Sequence, residues 1–302
     1  MQGDPETGVI YVATGEDYVE LARASARSLK ATNPGIAADL FTDATDRPGL
    51  EVFDRVHRVP RIHVRAKLDC MPLSRFARTL FLDCDTLVVG PLGDLFDIAT
   101  RFDIAMAHDV RRSSDLVQEG LQARTPYAFP QLNSGVVLYR RSAATAAFFA
   151  DWGRRFHDTG VNRDQIVLKD LLWESDLRFY VLPPEFNLRR VTMLDAWEPL
   201  DARPTIIHSH RLMDHMRALG TMRVRTLDHL LTLEREALLQ EWADAGVSTE
   251  GRAQLSALLP VLQGRGGDVA AAAVAPARAA AVDQVARPGR GRGRGDASPE
   301  TA

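Results

Sequence analysis

Apolar positions recur along this chain in two different rhythms. Gly8-Val9-Ile10-Tyr11-Val12-Ala13 is a short apolar run with no polar face, the pattern of a strand buried on both sides. From Glu16 the rhythm changes: Val19, Ala22, Ala26 and Leu29 recur at spacings of 3, 4 and 3, the stripe of a core-facing helix over 16–32. Asn33-Pro34-Gly35 ends it, and Ala38-Asp39-Leu40-Phe41-Thr42 reads as the next strand, closing at Asp43. Further strands are expected over 79–82, 87–89, 104–107, 134–139, 178–182 and 205–208, and helices over 143–157 and 164–173. In the first of those helices Ala146, Phe149, Ala150, Gly153 and Phe156 share one face. A charged amphipathic helix is expected over 226–245 and another over 250–262, placed to cover the core or a partner. No internal repeat is visible. Strands that alternate with helices predict an α/β domain whose parallel strands are covered by helices, with ligands at the strands' C-terminal ends.

Composition narrows the class. The 302 residues are 45% hydrophobic and 25% charged with a net charge of −3, ordinary values for a globular chain. No apolar stretch approaches a membrane span. Met1-Gln2-Gly3-Asp4-Pro5-Glu6 has neither a basic nor an apolar leader region, so a cytoplasmic location is expected. Cys70 and Cys84 form no disulfide framework and no paired-cysteine zinc motif. Length alone suggests two domains, but the end of the chain is different material. Residues 264–302 hold 12 Ala, 7 Gly and 3 Pro, and only four valines represent the larger aliphatics, a segment expected to be disordered. Its Arg287-Pro288-Gly289-Arg290-Gly291-Arg292-Gly293-Arg294-Gly295 run is either a phosphate-contacting tail or a solvated one; the whole segment 264–302 nets only +2, a weak nucleic-acid footprint. The expected organisation is therefore a catalytic α/β domain over 1–220, a helical extension over 221–263 and the tail over 264–302.

Candidate chemistry concentrates in Arg78-Thr79-Leu80-Phe81-Leu82-Asp83-Cys84-Asp85-Thr86-Leu87-Val88-Val89. The Asp-x-Asp spacing alone says little, since a chain this rich in Asp holds about two or three such pairs by chance. Here an apolar strand delivers both carboxylates to its C-terminal end and a second apolar run follows. Paired carboxylates without an adjacent basic run suit a hard divalent cation, Mg²⁺ or Mn²⁺, bridging to phosphates. A capped strand end is the plainer alternative. Haloacid-dehalogenase-type phosphatases also carry a strand followed by Asp-x-Asp, and would use Asp83 as nucleophile. They carry the pair after their first strand and a Thr or Val where Leu87 stands, whereas a strand–helix–strand unit precedes it here.

The order of elements from about residue 8 to 210 resembles the GT-A nucleotide-sugar transferases, in particular the retaining family-8 group that includes glycogenin and bacterial galactosyltransferases. The resemblance implies a GT-A (Rossmann-like) mixed sheet flanked by helices, with a C-terminal helical extension. It places Thr14 and Tyr18 on the nucleotide, with the ring stacked on uracil, and Asp43 on a base N–H. Lys67 and Arg78, with Arg75 ranked behind them, become cations for the pyrophosphate. Asp83, Asp85 and His208 become ligands of Mn²⁺ or Mg²⁺, with His210 the second choice for the histidine. Asp109, Asn133 and Ser134 face the donor sugar, where Gly135 lets the backbone approach. Asp164 meets a sugar hydroxyl and Gln165 lies below the anomeric carbon, an arrangement compatible with retention by front-face attack. The family's Gly and Lys-Pro-Trp segment after the histidine is missing; Arg211-Leu212-Met213-Asp214-His215 stands there, and Arg211 or Arg217 is the expected substitute.

The resemblance thus implies a metal-dependent enzyme moving a sugar from a nucleotide-diphospho-sugar, with UDP the expected nucleotide, to a glycan, lipid or protein acceptor. The alternatives are the phosphatase and a non-catalytic glycan- or RNA-associated protein acting through its tail.

Overall fold

The computed structural model describes residues 4–110, 120–122, 124–129, 131–219, 224 and 226–244. Nine strands are described: β1 (Thr7–Ala13), β2 (Ala37–Thr42), β3 (Arg55–Arg58), β4 (Arg78–Leu82), β5 (Thr86–Val88), β6 (Ile104–Ala107), β7 (Val136–Arg140), β8 (Phe179–Leu182) and β9 (Ile206–His208). The helices are α1 (Glu16–Thr32), α2 (Lys67–Cys70), α3 (Ile98–Arg101), α4 (Ala143–Thr159), α5 (Asp164–Glu174), α6 (Arg211–Leu219) and α7 (Leu227–Asp244), joined by short 3₁₀ turns. One compact unit runs to Glu236; of the unit that begins at Ala237, residues 237–244 are described. The expected helix over 250–262 and the Arg/Gly tail lie outside the described residues. Among the described residues no helix is long and apolar enough to cross a membrane.

Seven strands form one mixed sheet in the order β3-β2-β1-β4-β7-β6-β8, with β7 antiparallel to both its neighbours. Chain direction explains where a ligand fits. From β1 the chain winds outward through β2 and β3, then returns to place β4 on β1's other edge. Such a switch point leaves a crevice beyond the C-terminal ends of β1 and β4.

Side chains of alternate residues feed two apolar layers, one on each face. Val9, Tyr11, Leu80, Leu82, Val136 and Leu138 pack with α1, while Ile10, Phe81, Val137 and Tyr139 pack with α4 and α5. Helix α4 begins in a reciprocal capping box between Ser142 and Thr145 and ends at Gly160, whose φ of 64° is the left-handed conformation glycine adopts freely. Its buried face is Thr145, Phe148, Phe149, Trp152, Gly153 and Phe156, whereas Ala146 and Ala150 are exposed. Of the face read from the sequence, Phe149, Gly153 and Phe156 are buried, but Phe148 and Trp152 replace the two alanines because they carry far more apolar area.

Candidate functional site

Three short chain segments meet beyond the end of β4. The residue after the strand, Asp83, is fixed by its own N–H, which donates to the Gly135 carbonyl at 2.7 Å. After Asp85 the chain enters β5, which pairs antiparallel with β9 in a separate two-stranded ladder with Thr86 opposite His208. The Ser209 N–H donates to the Asp85 carbonyl at 3.0 Å. This register, set by two three-residue strands, brings the histidine to the carboxylates from more than a hundred residues away. His208 Nε2 lies 3.3 Å from Asp85 Oδ1 and 3.9 Å from Asp83 Oδ2.

The ring is held from behind. Asn187 Oδ1 lies 3.0 Å from His208 Nδ1, and Asn187 Nδ2 donates to Asn133 Oδ1 at 3.0 Å. Arg189 Nη1 stands 3.2 Å from Nε2 and can only donate. In the neutral ring Nε2 is then the acceptor and Nδ1–H donates to Asn187, whereas the charged ring would pair with Asp85. A histidine oriented in this way by a second polar partner is the usual arrangement of a metal ligand.

The ligand atoms of Asp83, Asp85 and His208 all lie within 4.8 Å of one another. A hard cation about 2.1 Å from each would separate neighbouring ligands by about 3 Å, close to the spacings present. Gly135 keeps that space open, since a Cβ there would stand 2.0 Å from His208 Cε1 and 2.8 Å from Asp83 Oδ2. The donor set, two carboxylates and one imidazole, is one that can hold a divalent cation. Burial alone would raise the Asp85 pKa, but His208 and Arg189 beside it outweigh that and lower it to about 2. Asp85 is therefore available as an anion at neutral pH.

A cleft of about 600 Å³ opens onto this group, with Thr14 and Tyr18 on one wall, residues 62–67 on another, and Asp83, Asp85, His210 and Met213 among its remaining walls. Tyr18, in the first turn of α1, is 48% exposed there. A smaller recess of about 260 Å³ is lined by Asp109, Leu182, Asn187, Leu188, Arg189 and Met193 among others.

The fold that carries this site is similar to that of solved glycosyltransferases. One is the galactosyltransferase LgtC in complex with donor and acceptor sugar analogues, 16% identical with a TM-score of 0.50, covering 72% of this chain and 97% of that one. A structure of an active-site mutant of LgtC gives a TM-score of 0.51 at 15% identity, covering 76% of this chain and 95% of that one. The chain has a GT-A glycosyltransferase fold. The glycosyltransferase GlyE of Streptococcus pneumoniae also matches, at 18% identity and a TM-score of 0.49, over 80% of this chain and 65% of that one. No protein-family model matches the sequence, and no curated protein does.

Within this fold, the structure brings some of the expected residues together at the cleft and sets others apart from it. His208 joins the carboxylates, while His210 is exposed on the cleft wall. Asp43 accepts from the Gly15 N–H at 3.2 Å through both oxygens, so it fastens the turn after β1. Lys67 is buried, donating to the Ser134 carbonyl at 2.8 Å and Ser134 Oγ at 3.1 Å and lying 3.3 Å from Asp83 Oδ1. It is a counter-ion beneath Asp83. Asn133 Oδ1 accepts from both the Gly135 N–H and Asn187, so its carbonyl supports the His208 ring.

Asp164 is 2% exposed, which alone would raise its pKa; Lys67 and Arg65 outweigh that, Ser134 adds to them, and the carboxyl is held below the usual range. Its Oδ1 meets Arg65 at 2.9 Å and its Oδ2 accepts from Ser134 Oγ at 2.7 Å, while Trp152 Nε1 donates to its carbonyl at 3.0 Å. Gln165, next in α5, donates to Asp109 Oδ2 at 2.5 Å and to the Leu132 carbonyl at 3.1 Å.

Arg78 and Arg75 are not brought to the site. Arg78 begins β4, at the strand's far end from Asp83, and pairs with Glu6 at 2.9 Å and Asp97 at 3.1 Å. Arg75 pairs with buried Asp39 at 2.7 Å. Nor do the arginines after β9 replace the missing lysine: Arg211 lies 3.8 Å from Glu234, and Arg217 pairs with Asp17 at 3.0 Å. Arg189 stands at the cluster instead. Among the described residues His63, Asp69 and His157 form a second group with metal-ligand spacing, but Arg61 already donates to both oxygens of Asp69, at 2.9 and 3.0 Å.

Proposed function

We propose that this protein is a divalent-metal-dependent glycosyltransferase that moves a sugar from a nucleotide-diphospho-sugar, with UDP as the nucleotide, to a hydroxyl acceptor with retention. The observation that carries this reading is the convergence of Asp83, Asp85 and His208 at the mouth of a cleft whose far wall offers Tyr18. The anionic donor and the anionic Asp pair need a cation between them, and this cluster is where it binds. When bound, that cation supplies positive charge to the leaving diphosphate.

The chain's own residues do the rest. Tyr18 offers a ring face to the base, and Thr14 a hydroxyl beside it. Lys67 and Arg65 offset the charge of Asp164 and Asp83 beneath the donor, so the floor of the cleft is rigid rather than strongly repulsive. Asp109, on the smaller recess, and Gln165 form a hydrogen-bonded pair that in this reading faces the sugar. The Gln165 amide is too weak a nucleophile for a stable covalent intermediate, which favours front-face attack with the departing phosphate accepting the acceptor's proton.

A thermal-shift panel of nucleotide sugars with and without Mn²⁺ tests the reading. A UDP-sugar is expected to raise Tm only when Mn²⁺ is present, because a ligand stabilises the state that binds it. No shift with any nucleotide sugar, together with a phosphorylated Asp83 trapped from a phosphate ester, would establish the phosphatase alternative instead.

A further inference from the structure

The segment 187–189 runs beside β9. The Leu188 N–H donates to the Ile206 carbonyl at 2.8 Å, and the His208 N–H donates back to the Leu188 carbonyl at 3.0 Å. In extended backbone, residues two apart face the same side, so Asn187 and Arg189 both turn toward the imidazole. Asn187 takes Nδ1 at 3.0 Å and Arg189 takes Nε2 at 3.2 Å.

The second contact has a consequence. A guanidinium has no acceptor atom, so Arg189 is bound through the Nε2 lone pair. A cation shared with Asp83 and Asp85 would require that same lone pair, and a lone pair directed at one partner is withheld from the other. The two positive charges also repel at such separations. Arg189 has somewhere to go, because it lines the adjoining recess of about 260 Å³. Its Nε is buried and has no hydrogen-bond partner among the described residues, so its present position leaves one donor unsatisfied.

We propose that Arg189 is a built-in counter-ion at the third ligand position, in direct competition with the divalent cation. Binding of the cation detaches the guanidinium from His208, and the isolated protein consequently binds Mn²⁺ or Mg²⁺ more weakly than its ligand set alone would. This inference rests on the metal-site reading above.

The test is Mn²⁺ titration of the full-length protein by calorimetry, comparing the wild type with Arg189→Met, Arg189→Lys and Asp85→Asn, with thermal melting to confirm that each folds. Arg189→Met should bind Mn²⁺ at least about tenfold more tightly, a difference of about 1.4 kcal/mol. The shorter Arg189→Lys should fall between it and the wild type. Equal or weaker binding by Arg189→Met, with binding still dependent on Asp85, would overturn this proposal and leave the metal site standing. Absence of binding in all four proteins would overturn both. A second measurement needs no variant: the Arg189 Nε–H resonance should move on addition of Mg²⁺, and a resonance that stays in place contradicts the displacement.

Discussion

The two ends of β4 carry charges of both signs and use them in opposite ways. At the N-terminal end they are closed into pairs: Arg78 with Glu6 and Asp97, Arg75 with Asp39, and Arg140 donating to Asp103 at 2.7 Å. At the C-terminal end, the ligand atoms of Asp83, Asp85 and His208 lie within 4.8 Å of one another, with Lys67 beside Asp83 and Arg65 on neighbouring Asp164. The first arrangement fastens strand ends together; the second gathers His208, Arg189 and Lys67 around Asp83 and Asp85, and in the proposed reading a divalent cation joins them. Position in the sheet decides between the two, because the switch point lies beyond the C-terminal ends of β1 and β4 and leaves room for a ligand there.

Substitutions at the two ends should separate accordingly. The largest effect is expected from Asp85→Ala or His208→Ala, which should lower Mn²⁺ affinity at least about a hundredfold in a calorimetric titration while Tm changes little. A large loss of Tm with unchanged Mn²⁺ affinity would mean that this end, too, is structural. Next is Asp164→Asn, which leaves Lys67 and Arg65 without their buried partner and should cost about 3 kcal/mol in chemical denaturation at pH 7. The Asp164 carboxyl is held below its ordinary range, so its contribution is complete above about pH 4 and is lost as pH falls through the lowered value. The difference between wild type and variant should therefore narrow below about pH 4, and a difference that persists there would contradict the assignment.

Asn187→Ala removes only the support of the His208 ring and should weaken Mn²⁺ binding about 10- to 100-fold, the usual cost of losing a ligand's outer partner. Binding that is unchanged would show that the β5–β9 ladder alone orients the ring. The smallest effect is expected from Arg78→Ala, about 1 kcal/mol of stability or less for pairs with exposed partners, with Mn²⁺ affinity within a factor of two of the wild type.

Much of the scaffold was legible because its apolar rhythm is strong. The stripe Val19, Ala22, Ala26, Leu29 predicts a helix over 16–32, and α1 has those bounds. The Asp pair was legible because an apolar strand delivers it. His208 entered through the family resemblance alone, and its meeting with Asp85 depends on the register of two three-residue strands, which no pattern announces. Strand β3, Arg-Val-His-Arg at the sheet edge, carries no alternation and was missed. Asn187 and Arg189 were missed because they flank a single paired residue, Leu188, bridged to Ile207 outside any strand. Arg78 and Arg75 were assigned to the pyrophosphate by the resemblance alone, and the structure sets Arg78 at the other end of β4, whose five residues span about 16 Å.

Nucleotide release from a UDP-sugar, measured with Mn²⁺ and with a chelator, tests the central claim most directly when wild type, Asp85→Ala and Arg78→Ala are run side by side. The account predicts release by the wild type and Arg78→Ala only when Mn²⁺ is present, and none by Asp85→Ala. Equal release in chelator, or undiminished release by Asp85→Ala, would contradict it.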